Sequence, residues 1–145
     1  MRRLLLSLTL IALTGTLGIA QKTRKHTKKP PAPYKAIAVA FYDESRLRER
    51  GAEGELTDFQ YFFKDIQQIA VRDFPNVELK VLQAGELLHL PDGTNLNVQN
   101  MRPDLGYVLS ATGKKARILT GVQSEADFAC AASTFFKRPS SACPK

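Results

Sequence analysis

The stretch over residues 105–136 leaves this chain the fewest choices. Leu105-Gly106-Tyr107-Val108-Leu109-Ser110 has the content of a strand, and Thr112-Gly113-Lys114 reads as a tight turn. Ala116-Arg117-Ile118-Leu119-Thr120 returns as a second strand, and Ser124 opens a helix carrying Phe128, Ala132, Phe135 and Phe136. A hairpin that feeds a helix needs a sheet to join and a core to close. It predicts one half of a compact α/β domain.

The chain begins very differently. Met1-Arg2-Arg3 precedes an apolar run over residues 4–20 that ends in small residues, Gly18 and Ala20. A basic start, an apolar middle and a small-residue end are the pattern of a secretory signal, with cleavage after Ala20 leaving Gln21 as the new terminus. The competing reading is an uncleaved anchor. The run falls short of the ~20 apolar residues of a membrane span and is diluted by Thr and Gly, which favours cleavage. The lysines that follow weigh slightly against it, because cations behind a signal hinder export. The expectation is an exported protein, periplasmic or secreted.

Residues 21–35 hold Lys22, Arg24, Lys25, Lys28, Lys29 and Lys35, then Pro30-Pro31-Ala32-Pro33. With no apolar period this segment buries nothing, and it is expected to be a disordered, partly polyproline-like tether. The formal net charge of the whole chain is +7; it falls to +5 without Arg2 and Arg3, and to −1 without the six tether cations. The folded part is therefore nearly neutral, which argues against a basic nucleic-acid-binding face on it. The tether itself is suited to weak electrostatic docking on an anionic envelope surface, at about 1 kcal/mol per cation near a charged membrane. The plainer reading is a soluble spacer.

Residues 36–145 make one domain's length of chain. Ala36-Ile37-Ala38-Val39-Ala40-Phe41-Tyr42 is apolar on both faces, the pattern of a strand covered by helices on both sides. Residues 43–56 are charged and contain Gly51 and Gly54, so they read as an exposed loop with room for a helical turn. Thr57 then fits a capping box with Gln60, and Phe59, Phe62, Phe63, Ile66, Ile69, Ala70 and Phe74 follow at helical spacing. Pro75-Asn76 stops that helix. Residues 77–82 alternate as a second strand, parallel to the first. Residues 83–102 read as a hairpin around Pro91-Asp92-Gly93, with a short helix near 96–101 competing for its second half.

Strand, helix, strand, irregular connection, proline, hairpin, helix resembles the order of a thioredoxin-like domain. The resemblance rests on residues 36–42 as central strand, the helix up to Phe74, Pro103 where such folds carry a cis-proline, the 105–120 hairpin with Gly113, and Ser124 capping the last helix. It implies a single small α/β domain with a central mixed sheet of four to six strands and flanking helices. In redox-active members a Cys-x-x-Cys opens the long helix, but residues 43–58 here contain no cysteine. The resemblance therefore carries the fold and not the disulfide-exchange activity. If the Arg102–Pro103 bond is cis, the resemblance also implies a peptide-binding surface beside it.

The two cysteines, Cys130 and Cys143, are an even count in an exported chain, and the residues after the helix are long enough to fold back along it. A structural disulfide is expected, worth about 3 kcal/mol in the chain-entropy model. His26 and His89 have no partner at metal-ligand spacing, so neither a metal nor a cofactor is expected. Asp43-Glu44, at the C-terminal end of a strand, stand where an acid/base pair would sit, although adjacent loop carboxylates are more often solvated. Arg102, Pro103, Asp104 and Tyr107 make the candidate binding patch. The functional expectation is an exported, non-catalytic binding or structural module of the cell envelope with a protein or peptide partner. The alternatives are a thiol-disulfide oxidoreductase using Cys130 and Cys143, and an envelope-surface adaptor working through the tether.

Overall fold

The computed structural model describes residues 36–144; the expected signal (1–20) and tether (21–35) lie outside the described residues. The elements run β1 (Ala36–Tyr42), α1 (Glu44–Glu49), α2 (Glu53–Asp73), β2 (Glu78–Gln83), β3 (Leu87–His89), β4 (Asn95–Asn97), a 3-10 turn (Val98–Asn100), β5 (Leu105–Ala111), β6 (Lys114–Thr120) and α3 (Glu125–Phe136). Four strands form a mixed sheet in the order β2-β1-β5-β6, and β3 and β4 form a separate two-stranded sheet. β1 runs parallel to β2 and antiparallel to β5, which in turn is antiparallel to β6. This is a small α/β domain with a four-stranded mixed sheet and three helices.

The two faces of β1 are filled differently. Ala38 and Ala40 face the helices, where Leu47, Leu56, Phe59, Ile66, Phe128 and Ala132 pack with Tyr107 and Leu109 of β5. Small residues on the strand leave room for large aromatic ones on the helices. Ile37, Val39 and Phe41 point the other way, against Leu90, Leu96 and Val98 of the β3–β4 hairpin and its 3-10 turn. Both faces of β1 are thus buried, as its apolar run predicts, but helices cover only one of them. The Pro-Asp-Gly hairpin and the short helical turn that compete in the sequence both exist, one after the other.

Residues 43–56 depart furthest from expectation. They form α1 and the start of α2, more helix than the single turn that the loop reading allows. Asp43 caps α1, its Oδ1 accepting from the Arg46 amide at 3.2 Å, and Leu47 is completely buried. Glu44 in the first turn and Arg48 in the last suit the helix dipole. α2 begins at Glu53, with Ala52 at its N-cap and no side-chain cap bond. Thr57 does not cap the helix. It lies inside it, and its hydroxyl donates to the Glu53 carbonyl one turn back. The apolar stripe decides the start, because Ala52 and Leu56 extend it upstream of Phe59 and are themselves buried.

The closing half follows the sequence closely. Ser124 Oγ accepts from the Asp127 amide at 3.2 Å and caps α3. Cys130 and Cys143 are joined by a disulfide, their Cα atoms 4.7 Å apart. The tail is also held by Asp73 at the end of α2, which accepts from Ser140 Oγ at 2.6 Å and from the Ser141 amide at 3.2 Å. Two links, one covalent and one of hydrogen bonds, fasten the last residues to the two long helices.

Candidate functional site: the Asp43–Arg46–Asp104 cluster

Sheet register sets up this site. Tyr42, the last residue of β1, is paired with Leu105, the first of β5, so Asp43 and Asp104 emerge side by side at the same end of the sheet. The Asp43 amide donates to the Asp104 carbonyl at 2.7 Å and extends the ladder by one step. It is the end at which parallel β1 and β2 deliver their C-termini, where open α/β sheets place ligand sites. The peptide bond between Arg102 and Pro103, just before Asp104, is cis.

Both carboxylates are taken out of water, with Asp43 only 4% and Asp104 only 6% exposed. Burying two like charges is unfavourable unless cations answer them. Arg46 of α1 does so, its Nε 3.5 Å from Asp43 Oδ2 and its Nη1 3.6 Å from Asp104 Oδ1. The same guanidinium donates to the Met101 carbonyl at 3.2 Å and to the Gln99 carbonyl. Arg50, one turn further along, places Nε 2.9 Å from Asp104 Oδ2 and also reaches Glu55 at 3.7 Å. Arg102 approaches Asp104 Oδ1 at 3.8 Å and is the most exposed of the three arginines. Arg46 therefore ties α1, the 3-10 turn, the proline loop and both strand ends into one unit. The planar fork of arginine suits that many acceptors at once.

Of the residues the sequence singled out, Arg102, Pro103 and Asp104 come together here. Tyr107 does not join them: it is completely buried, its ring packed 5.3 Å from Phe59 and 5.2 Å from Phe128. All seven residues of β5 are buried, so nothing on it reaches a surface patch. Asp104 is itself a buried anchor instead of an exposed contact. Asp43 and Glu44 do not form an acid/base pair, since Glu44 turns outward to Arg48 Nη2 at 2.6 Å while Asp43 faces inward. His89 sits on the hairpin with its Nδ1 2.8 Å from Asn95 Oδ1. Arg46 and Arg50 are the members that sequence reasoning passed over. Their signal was the Asp43-x-x-Arg46 spacing directly after a strand, matched by an aspartate directly before another.

Chemically the cluster is a closed set of charges. Asp43, Asp104 and Glu55 balance Arg46, Arg50 and Arg102, and no thiol or hydroxyl takes part in these contacts. The two cysteines of the chain are consumed in the bond between α3 and the tail, and burial pushes the Tyr107 phenol well above its ordinary range. Among the described residues no group of three His, Cys, Asp or Glu side chains is arranged to hold a metal ion.

No protein-family model, curated protein or solved structure matches this chain. Function must be argued from the site itself.

Proposed function

We propose that this chain is an exported, non-catalytic thioredoxin-like module of the cell envelope, in which an ion-pair lock stands where redox-active relatives of that fold carry their dithiol. Four features support the reading. β1 lies inside the sheet beside a parallel β2, and an antiparallel hairpin with its closing helix completes the order. α2 and α3 share one face of the sheet. Arg102–Pro103 is cis directly before β5. The fourth is the observation that carries the functional conclusion. The residues after β1 supply Asp43 and Arg46 to the proline loop, while the two cysteines lie elsewhere, Cys130 on α3 and Cys143 in the tail, already bonded to each other. A buried, charge-balanced cluster fixes geometry and offers no nucleophile, which suits a scaffold or binding role. The crossing of the second sheet face by a hairpin, where thioredoxin-like domains place a helix, is this chain's own variation. Export is supported by the signal-like residues 1–20 and is compatible with the disulfide.

The test is an insulin-reduction assay with dithiothreitol, run beside a thioredoxin, together with thiol titration of the denatured protein. The expected result is no acceleration over dithiothreitol alone and no titratable thiol before reduction. Acceleration that disappears in Cys130→Ser would overturn the reading in favour of an oxidoreductase. N-terminal sequencing of the exported material is expected to begin at Gln21.

A further inference from the structure

Strand β6 is one edge of the four-stranded sheet, and its outward side is only partly covered. The Gly121 amide donates to Leu105 on β5, whereas the Ala116 amide points away and donates to Asp92 Oδ2 at 3.1 Å. Alternation then directs the backbone groups of Ile118 and Thr120 outward as well. Asp92, on the Pro-Asp-Gly turn, closes the edge at Ala116, and Gln123 Nε2 closes it at the Thr120 carbonyl, 2.8 Å away. Between these two plugs the outward Ile118 N–H and C=O and the Thr120 N–H have no hydrogen-bond partner among the described residues. An unpaired edge of this kind is a template for an added strand.

The side chains beside this opening are distinctive. Lys114, Lys115 and Arg117 all lie on β6 in a folded part whose formal charge is −1. Lys114 Nζ donates to the Phe135 carbonyl at 2.7 Å, bringing the hairpin turn to the end of α3, where Lys137 and Arg138 follow. Lys115 and Arg117 are exposed and have no ion-pair partner among the described residues. On the opposite face Ile118 is 48% exposed. It stands with Ala116, Val108 and Met101 around a cleft of about 290 Å³ that the hairpin leaves open, rimmed by Asn97 and Asn100.

Charge discriminates among the strands that could fill this edge. A second copy pairing through β6 would bring two sets of three cations onto one seam, and like charges across strands oppose pairing. Residues 21–35 carry six cations and no carboxylate, so the chain's own leading segment is repelled for the same reason. We infer that the β6 edge is a docking site for an extended acidic segment of another protein, added as a strand along Ile118 and Thr120. Side chains of an added strand alternate between faces. Carboxylates at alternate positions meet Lys115 and Arg117, and an apolar side chain between them enters the cleft beside Ile118. The inference does not draw on the redox-free reading above. A protein that reduced insulin and still took the segment at β6 would lose that reading and keep this one.

The test uses the purified protein, labelled with ¹⁵N, and three capped synthetic peptides: an alternating Glu-Val heptamer, its Lys-Val counterpart, and the Glu-Val peptide N-methylated at alternate amides. The expected result is amide shifts centred on Ile118 and Thr120 with the acidic peptide, and binding that weakens as salt is added. Both the N-methylated peptide and the Lys115→Glu/Arg117→Glu protein are expected to bind at least about ten-fold more weakly. Ile118→Pro is expected to block binding while keeping the β5–β6 ladder, because the amide it removes points outward. The N-methylated peptide asks the same question with no risk to folding. The inference is overturned if the acidic peptide does not bind at millimolar concentration, if the shifts fall elsewhere, or if the lysine peptide binds equally well. A dimer of the free protein that Ile118→Pro abolishes would overturn it too, by giving the edge to a second copy.

Discussion

Asp43 and Asp104 are joined twice: the amide of one donates to the carbonyl of the other at 2.7 Å, and their buried carboxylates share the guanidinium of Arg46. Removing that guanidinium leaves the buried Asp43 carboxylate without its ion-pair partner, while Asp104 keeps Arg50 and Arg102. Breaking a buried pair typically costs about 3–5 kcal/mol. The Arg46 side chain is 28% exposed, so solvent recovers part of the loss, and Arg46→Ala is expected to cost about 2–3 kcal/mol. Arg50 is half exposed and serves only Asp104 and Glu55, so Arg50→Ala should cost about 1 kcal/mol or less. Urea midpoints of the two variants make the comparison, and equal losses would refute the central place given to Arg46.

Among the described glycines, Gly106 is the one with no room for a side chain. Its φ is +154°, and a Cβ placed there would lie 2.1 Å from the Leu119 carbonyl oxygen and 3.2 Å from the Phe41 ring. The first neighbour is backbone of the paired strand and cannot step aside without opening the β5–β6 ladder. Overpacking usually costs about 1–3 kcal/mol where side chains can adjust. Gly106→Ala is expected at or above about 3 kcal/mol for that reason, read as a fall in thermal midpoint. A variant as stable as the wild type would mean that the two strands are not in this register.

Which of these features a reader of the sequence can find depends on how local their causes are. β1, the 105–120 hairpin and α3 are signalled by contiguous residues: an apolar run, Gly113 at a turn, Ser124 before a periodic helix. The Cys130–Cys143 bond is legible from a count of two and a tail long enough to return. α1 is legible as no more than a turn, because Leu47 is its one buried residue and a single apolar position has no period. Thr57 misleads because its spacing to Gln60 imitates a cap, while the true start depends on Ala52 and Leu56 finding the core. Tyr107 looks available because an all-apolar strand gives no sign of which residues reach water. Asp104 looks solvated for a stronger reason. What allows it to be buried is Arg46, fifty-eight positions earlier in the chain, and only the β1–β5 register brings the two together.

Tyr107 offers a test of its buried position. Its hydroxyl lies in the core with no hydrogen-bond partner among the described residues, and a buried polar group without a partner opposes folding. Tyr107→Phe removes that group and keeps the ring between Phe59 and Phe128. The expected change in unfolding free energy is between zero and about 1 kcal/mol of added stability. Tyr107→Ala, which empties the ring's space, should lose about 3–5 kcal/mol. Were Tyr107→Phe to cost as much as 2 kcal/mol or so, the hydroxyl would have a partner worth that much.

The disulfide and Asp73 hold the same segment and should not act independently. In the chain-entropy model a loop of this size is worth about 3 kcal/mol. That full value is felt only if the tail leaves in the same step as the rest of the domain. With Cys130→Ser the tail can undock by itself, and only Asp73 with its serines then opposes it. The loss measured for Cys130→Ser is therefore expected to be smaller in an Asp73→Asn background than in the wild type. The difference should reach at least about 0.5 kcal/mol, the level at which coupled sites depart from additivity. Strict additivity would place the two links in separate structural units.

Asp73 also gives a pH dependence with a definite sign. Its hydrogen bond from Arg72, helped by Ser140 and the Ser141 amide, holds its carboxyl well below the usual carboxylate range, against the opposing effect of burial. A group whose folded pKa is depressed contributes stability in full above its unfolded value, near 3.9 for aspartate, and loses it as pH falls toward the folded value. Hydrogen bonds to a charged group are worth about 1.5–3 kcal/mol when buried. Here Arg72 is exposed, so Asp73→Asn is expected to cost about 1–2 kcal/mol at pH 7. Below about pH 4 the carboxylate of the unfolded wild-type chain takes up a proton that the folded one still refuses, and the gap between the two proteins should narrow steadily. Asn, which does not titrate, supplies the flat reference. Urea unfolding of both proteins at pH 7 and again near pH 3 measures this, and a gap that widens on acidification would show that Asp73 is not the ionised anchor of the tail.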